Sequence, residues 1–301
     1  MELWIPITLF AAFCQNARSA LQKHLKGRLG TTGATFVRFG YGFPVALVYL
    51  AALHWGLGNP LPEPGAVFWA VGALGGVAQI AATFLLVHLF AYRNFVVGTA
   101  YSKTEPVQAA LFALVFLGEA VTPLASLAIA IGVVGVVMIS LAGQSLRFRS
   151  VATALVGRPA LIGLASAALF GLSAVCYRAA SLSLEGPNFV MQAAATLAYV
   201  TVFQTVLMAA WMRWREPEQL AASVANWRAG IWVGLAGVAG SAGWFTAMTL
   251  QQVAYVRALG QIELVFTFLA SWLVFREKVH PSEALGAALI VAAIVVLLLG
   301  T

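Results

Sequence analysis

Two pairs of segments repeat along the chain: YSKTEPV at residues 101–107 aligns with LGQIELV at 259–265, and LGEAVTP at 117–123 aligns with FREKVHP at 275–281. No gap is needed between the two members of either pair. The matching positions are Glu105 with Glu263, Glu119 with Glu277, and Pro123 with Pro281. The second half of the chain therefore repeats the first, and each half is predicted to hold an odd number of hydrophobic spans. Such repeats enter the membrane in opposite senses, an architecture typical of secondary transporters.

The composition predicts an integral membrane protein. Of the 301 residues, 61% are hydrophobic and only 9% are charged, whereas soluble domains average roughly 25% charged residues. Apolar runs of about 20 residues, the length needed to cross the hydrocarbon core as a helix, recur throughout. We therefore predict an all-α membrane protein with about ten transmembrane helices, built as two inverted five-helix repeats at residues 1–145 and 146–301. The predicted spans are 3–22, 31–54, 66–91, 95–117, 124–142, 160–180, 188–211, 229–253, 257–275 and 281–299.

The distribution of basic residues predicts the orientation. The net charge is +7, and twelve of the Lys and Arg residues fall in connections that follow odd-numbered spans. The positive-inside rule places these connections in the cytoplasm and both termini in the periplasm. This distribution explains the positive charge without a nucleic-acid partner.

Charged residues inside the spans are the first candidates for function, because each is costly in hydrocarbon unless it is paired or faces water. Glu105 is the strongest of them. It lies near the middle of the fourth span beside Pro106, which can kink a helix, and Glu263 repeats it in the ninth span. The alternative is that both Glu residues form structural pairs with cations such as Lys103, Arg18 or Arg38.

Helical spacing groups some of these residues. Gln15 and Arg18 share one face of the first span, and Tyr101 and Glu105 share one face of the fourth. Arg18 could instead extend toward the cytoplasmic surface. Gln79, Gln192 and Trp244 are weaker cavity candidates, since polar and aromatic residues also serve packing. The predicted substrate-binding residues are Gln15, Arg18, Arg38, Gln79, Tyr101, Lys103, Glu105, Gln192, Trp244 and Glu263.

The sequence carries no pattern typical of catalysis. It contains no Asp, and its four His and two Cys residues show no metal-ligand spacing such as HExxH. Its glycines lie within apolar helices, where close helix packing explains them better than phosphate binding. We therefore predict no enzymatic activity, no metal and no cofactor.

The repeated motif resembles the EamA-type signature of the drug/metabolite transporter superfamily. The resemblance rests on Pro106-Val107, an apolar run to Gly118-Glu119, and a proline at 123, with FVRF at 36–39 similar to an arginine-containing segment of that family. It implies a ten-helix carrier whose central cavity is lined by the first four helices of each repeat, with the fifth helices supporting packing or dimer contacts. Leu264 and Arg276 depart from the motif in the second copy, so the halves need not contribute equally. Some relatives place both termini in the cytoplasm, but the charge distribution here argues the reverse.

Together these features predict a secondary transporter of the inner membrane that exports an amino acid or similar small metabolite by alternating access. Basic residues outnumber acidic ones inside the spans, which suits a solute with a carboxylate, and Glu105 is a candidate for proton coupling or for binding a solute amine. An uptake carrier, a channel-like facilitator and a non-transporting membrane scaffold remain alternatives. Small residues at Gly132, Gly135, Gly286 and Ala287 suit either a homodimer or packing within one chain.

Overall fold

The computed structural model describes residues 2–89, 101–140, 157–186, 188–269, 272 and 280–300. These residues are almost entirely helical, and the one extended contact among them is an isolated bridge between Glu63 and Glu185. The helices are α1 (Trp4–Gly40), α2 (Phe43–Ala51) with a π-helical turn at Ala52–Gly56, α3 (Ala66–Leu89), α4 (Glu105–Leu117), α5 (Pro123–Ser140), α6 (Arg158–Leu182), α7 (Phe189–Arg215), α8 (Pro217–Ala225), α9 (Trp227–Leu250), α10 (Val253–Leu259), α11 (Ile262–Leu269) and α12 (Pro281–Leu299).

The protein is a multi-pass membrane protein. Within the described residues, seven helical segments are long and apolar enough to cross a bilayer. The first predicted span is helical but is not among the seven, because Gln15, Asn16 and Arg18 lower its hydropathy. Parts of the fourth and ninth predicted spans, and the predicted boundary at 145 and 146, lie outside the described residues.

Gly30 separates the first two predicted spans. Helix α1 consists of two helical segments joined across a kink at Gly30, which has φ 64° and ψ −174°, a backbone conformation that only glycine adopts without cost. The Gln219 side chain of α8 lies against this break and accepts a hydrogen bond from the Gly33 N–H at 2.9 Å. A donor freed by the break is thereby satisfied inside the protein.

Helices of the first half pack mainly against helices of the second half. Helix α1 lies along α9, α3 lies along α6, and α5 lies along α12. The close approach of α1 and α9 requires small residues: a Cβ on Gly243 would lie 2.8 Å from Ala11 Cβ. Dispersion between closely packed backbones is a main source of helix association in a membrane.

Gly135 and Gly286 bring α5 and α12 together within one chain. A Cβ on Gly135 would lie 2.7 Å from the Gly286 carbonyl oxygen, and one on Gly286 would lie 2.6 Å from the Gly135 carbonyl oxygen. Of the two explanations that the sequence left open for these glycines, packing within the chain accounts for their positions.

Arg178 ties three helices together at one end of the bundle. Its Nε lies 2.6 Å from Glu119 Oε1, and its Nη1 donates to the carbonyl oxygens of Met248 and, at 2.8 Å, Gln251 at the C-terminal end of α9. A cation there complements the exposed carbonyls and the helix dipole. The connections that follow even-numbered predicted spans also meet at Asn59 and Asn188, whose side chains are hydrogen-bonded at 3.0 Å.

Candidate functional site

Glu105 and Glu263 each stand at the start of a helix that begins after a turn inside its predicted span. Glu105 is the first residue of α4 and follows a turn at residues 103 and 104. Glu263 is the second residue of α11 and follows a turn at residues 260 and 261. The N-terminal end of a helix favours a negative charge, because the first backbone N–H groups point outward and the helix dipole is positive there. The aligned segments therefore present their carboxylates in the same local setting.

Each of these carboxylates pairs with a cation from the other half of the chain. Glu105 Oε1 lies 3.0 Å from Arg257 Nε, and Lys103 Nζ contacts Glu263 Oε1. The Glu105 and Arg257 atoms are not aligned for a hydrogen bond, so their contact is an ion pair only. Lys103, one of the predicted residues, thus pairs with Glu263 and not with Glu105, which is nearer in sequence.

Gln15 and Trp244 connect the two ion pairs. Gln15 Nε2 donates to Glu263 Oε2 at 3.0 Å, and Trp244 Nε1 donates to Gln15 Oε1 at 3.0 Å. The Arg257 guanidinium lies 4.8 Å from the centroid of the Trp244 ring, within the range of a cation–π contact. We call these six residues the charged network: Gln15, Lys103, Glu105, Trp244, Arg257 and Glu263.

Arg18 and Arg38 lie beside the charged network and are deeply buried, with 4% and 7% of their surface exposed. Both side chains pack on Gly237 of α9, with distances of 3.5 Å and 3.4 Å from the position of a Cβ there. Arg18 Nη2 donates to Ser19 Oγ at 3.2 Å, and Arg38 Nη1 donates to Thr83 Oγ1 at 3.1 Å. Arg18 is therefore buried inside the bundle and does not extend to its surface.

Arg38 also forms part of a pocket between α1, α3, α7 and α9. The pocket is small, with a cavity volume of ≈ 10 Å³, which is room for about one water molecule, and its polar lining includes Arg38, Gln79, Thr201, Gln204 and Ser241. Ligand pockets are usually about 300 Å³ or larger, so this pocket admits a solute only if the surrounding helices move apart.

Gln79 is held at the pocket by a hydrogen-bond network. Its Oε1 accepts from Tyr177 Oη at 3.1 Å and from Gln204 Nε2 at 3.0 Å, and Tyr177 Oη also donates to the Gly75 carbonyl oxygen at 3.0 Å. Tyr177 and Gln204 were not predicted from the sequence, because the spacing of a single polar residue in an apolar helix does not show whether it lines a pocket or packs against another helix. Arg257 could have been selected from the sequence, because it is a cation within a predicted span.

Two of the predicted residues lie apart from the charged network and the pocket. Gln192 donates to the Leu184 carbonyl oxygen at 2.7 Å and so joins the start of α7 to the end of α6. Tyr101 is partly buried, and its carbonyl oxygen accepts from Thr104 Oγ1 at 2.7 Å in the turn before α4. Of the ten predicted residues, five belong to the charged network, two arginines lie beside it, and Gln79 lines the pocket.

Among the described residues, no group of three or more His, Cys or Glu side chains is arranged to hold a metal ion. The charged network and the two arginines beside it offer fixed charges and hydrogen-bond donors, which are groups able to bind and orient a solute.

The fold is similar to that seen in a crystal structure of another protein. The match has a TM-score of 0.71 and 18% sequence identity, and it covers 99% of this chain and 98% of the other. No curated protein matches the chain. A family model described as the EamA-like transporter family matches residues 2–141 and again residues 158–299. Since the two matches together span nearly the whole chain, this multi-pass membrane protein belongs to the EamA-like transporter family and is a transporter of the drug/metabolite type.

Proposed function

We propose that the protein is a secondary carrier that exports an amino acid or similar small metabolite across the inner membrane by alternating access. The observation that carries this proposal is the reciprocal pairing of Glu105 with Arg257 and of Glu263 with Lys103. Ionisable groups in a membrane interior often mark a transport pathway, whereas purely structural pairs would leave transport intact when they are neutralised. Here they join the two halves that would have to move against each other.

The packing of the helices supports two equivalent halves. If the first predicted span corresponds to the sixth and the third to the eighth, the contact of α1 with α9 and that of α6 with α3 are the same contact with the halves exchanged. Ten helices in two inverted repeats, divided near residue 145, would produce this pattern. Rocking of one half against the other around a midplane site is the motion that such repeats support.

In this proposal the charged network takes part in the motion. The ion pairs between the halves stabilise one conformation of the carrier. When a solute or a proton replaces a partner in these pairs, the carrier can adopt the opposite conformation. Glu105 is the proposed coupling group, because its partly buried carboxylate has a cationic partner that a second cation or a proton can replace. The proposed solute contacts are Arg18 and the charged network, with Arg38 and Gln79 at the pocket. Tyr101 and Gln192 lie apart from these residues and are not proposed to contact the solute.

Counterflow in proteoliposomes tests the proposal. Labelled amino acids and other metabolites are offered to purified protein at two pH values, with Glu105→Gln and the exposed Glu218→Gln as matched charge-neutralising variants. We expect saturable exchange of a solute, abolished by Glu105→Gln and retained by Glu218→Gln. Unchanged pH dependence in Glu105→Gln would remove the proton role.

The alternatives have distinct outcomes in the same assay. Flux without saturation or counterflow would indicate a channel-like facilitator. Absence of any flux, with a properly folded protein by size-exclusion chromatography, would favour a non-transporting scaffold. The direction of export is tested separately by comparing accumulation in cells with and without the protein, and net uptake would contradict it.

A further inference from the structure

The charges beside the pocket do not balance. Four cations lie in or beside the charged network: Lys103 and Arg257 belong to it, and the side chains of Arg18 and Arg38 pack together on Gly237 of α9. Two carboxylates, Glu105 and Glu263, face them and are paired with Arg257 and Lys103. Two guanidinium groups, those of Arg18 and Arg38, are left without a carboxylate among the described residues.

Other acidic residues do not supply the missing charge. The chain contains no Asp and ten Glu, of which Glu277 alone lies outside the described residues. Glu119 is paired with Arg178 at the end of the bundle. The remaining described Glu residues lie in connections or at helix ends, at positions 2, 63, 185, 216, 218 and 283.

The two guanidinium groups have free hydrogen-bonding capacity. Arg18 is 4% exposed, and its Nη1 has no hydrogen-bond partner among the described residues. The hydrogen bonds of Arg18 and Arg38 go to the neutral hydroxyl groups of Ser19 and Thr83. A guanidinium group has five donors in a planar fork that matches the two oxygens of a carboxylate or phosphate. The aliphatic stems of the two arginines pack on the same glycine of α9, Gly237, and Arg38 lines the pocket, so two guanidinium groups that could bind oxyanions extend from neighbouring positions.

We propose that Arg18 and Arg38 form an oxyanion subsite, and that the carried solute is a small organic acid with two negative charges and no ammonium group. Two negative charges neutralise the two unpaired guanidinium groups. An ammonium group would add a fifth cation to a cluster whose carboxylates already have partners. The inference rests on the proposed carrier function and narrows its substrate class from amino acids and metabolites to dianionic organic acids.

A ligand series that removes one charge at a time tests the inference on the unmodified protein. Thermal unfolding in detergent is measured with succinate, monomethyl succinate, dimethyl succinate and leucine. We expect stabilisation by succinate, with affinity falling about tenfold or more for each carboxylate that is esterified, and no stabilisation by leucine. Equal stabilisation by succinate and dimethyl succinate, or stabilisation by leucine alone, would overturn it.

Variants locate the subsite. Arg18→Gln and Arg38→Gln are each expected to weaken succinate binding by about tenfold or more, whereas the exposed Arg215→Gln, which removes the same charge, leaves it unchanged. Arg38→Lys keeps the charge but has no planar fork, so its succinate affinity is expected to lie between that of Arg38→Gln and that of the unmodified protein. Undiminished binding by both Gln variants would overturn the assignment.

Transport separates this inference from the proposed function. Counterflow of leucine without binding or exchange of succinate would support the carrier function but overturn the inference of a dianionic substrate. Arginine-dependent succinate binding with no counterflow of any solute would support the subsite and overturn the carrier. Exchange of succinate that is abolished in both Gln variants supports both.

Discussion

The carboxylate of Glu105 lies 3.0 Å from the guanidinium group of Arg257, a residue of the other half of the chain. The pair is largely buried, with 17% of the Glu105 side chain and 8% of the Arg257 side chain exposed. In the aligned segment, Glu263 pairs in turn with Lys103 of the first half. Each half therefore supplies one carboxylate and one cation to ion pairs with the other half. Several consequences of this arrangement can be measured.

Glu105→Gln is expected to destabilise the folded protein by about 3 kcal/mol, because removal of one partner leaves the other buried without compensation. Arg257→Gln is expected to have a similar cost for the same reason. The free energy of unfolding is measured by titration with SDS in mixed micelles, with Glu218→Gln as the exposed control. In the swapped variant Glu105→Arg/Arg257→Glu we expect most of the stability to return. If neither single variant changes the unfolding free energy, the pair does not contribute to stability.

Gln15→Leu is expected to slow solute exchange by about tenfold, because it removes two hydrogen bonds that connect Trp244 and Glu263. The matched substitution Gln192→Leu removes one hydrogen bond to the Leu184 carbonyl oxygen at the end of α6. We expect it to leave exchange nearly unchanged. Initial rates in proteoliposomes, normalised to folded protein, measure both. An equal decrease in the two variants would contradict a special role for Gln15.

Gly135→Ala is expected to cost about 1–3 kcal/mol of stability, because its Cβ would lie 2.7 Å from the Gly286 carbonyl oxygen and would force α5 and α12 apart. Gly65→Ala is the control, since no atom lies within 4 Å of a Cβ there. Thermal unfolding in detergent distinguishes them. Unchanged stability of Gly135→Ala would show that the two helices separate without cost.

Introduced cysteines test the orientation predicted from the basic residues. Leu57→Cys and Arg215→Cys lie at exposed positions in connections predicted to be periplasmic and cytoplasmic, respectively. The native Cys14 and Cys176 are buried, so their background reaction with a polar reagent is expected to be low. In intact cells, a membrane-impermeant maleimide is expected to label Leu57→Cys, and Arg215→Cys only after permeabilisation. The reverse pattern would invert the orientation.

The sequence by itself determined the class of the protein and most of its helices. Hydropathy is a local property, so the runs that became α3, α5, α6, α7, α9 and α12 could be identified without any contact between them. The alignment of Glu105 with Glu263 was also visible, because it requires only sequence comparison. The interruptions before these residues were not predicted; Pro106 indicated a kink, but the turns at 103–104 and 260–261 have no common local signal.

Only the tertiary structure decided which charges are paired. Lys103 lies two residues from Glu105 in sequence but pairs with Glu263, while Glu105 pairs with Arg257. Sequence composition indicated an excess of cations inside the membrane, but it could not show that Arg18 and Arg38 carry that excess. Ion pairing depends on distances between side chains of different helices, and those distances follow from the packing of α1, α4, α9, α10 and α11 across the two halves.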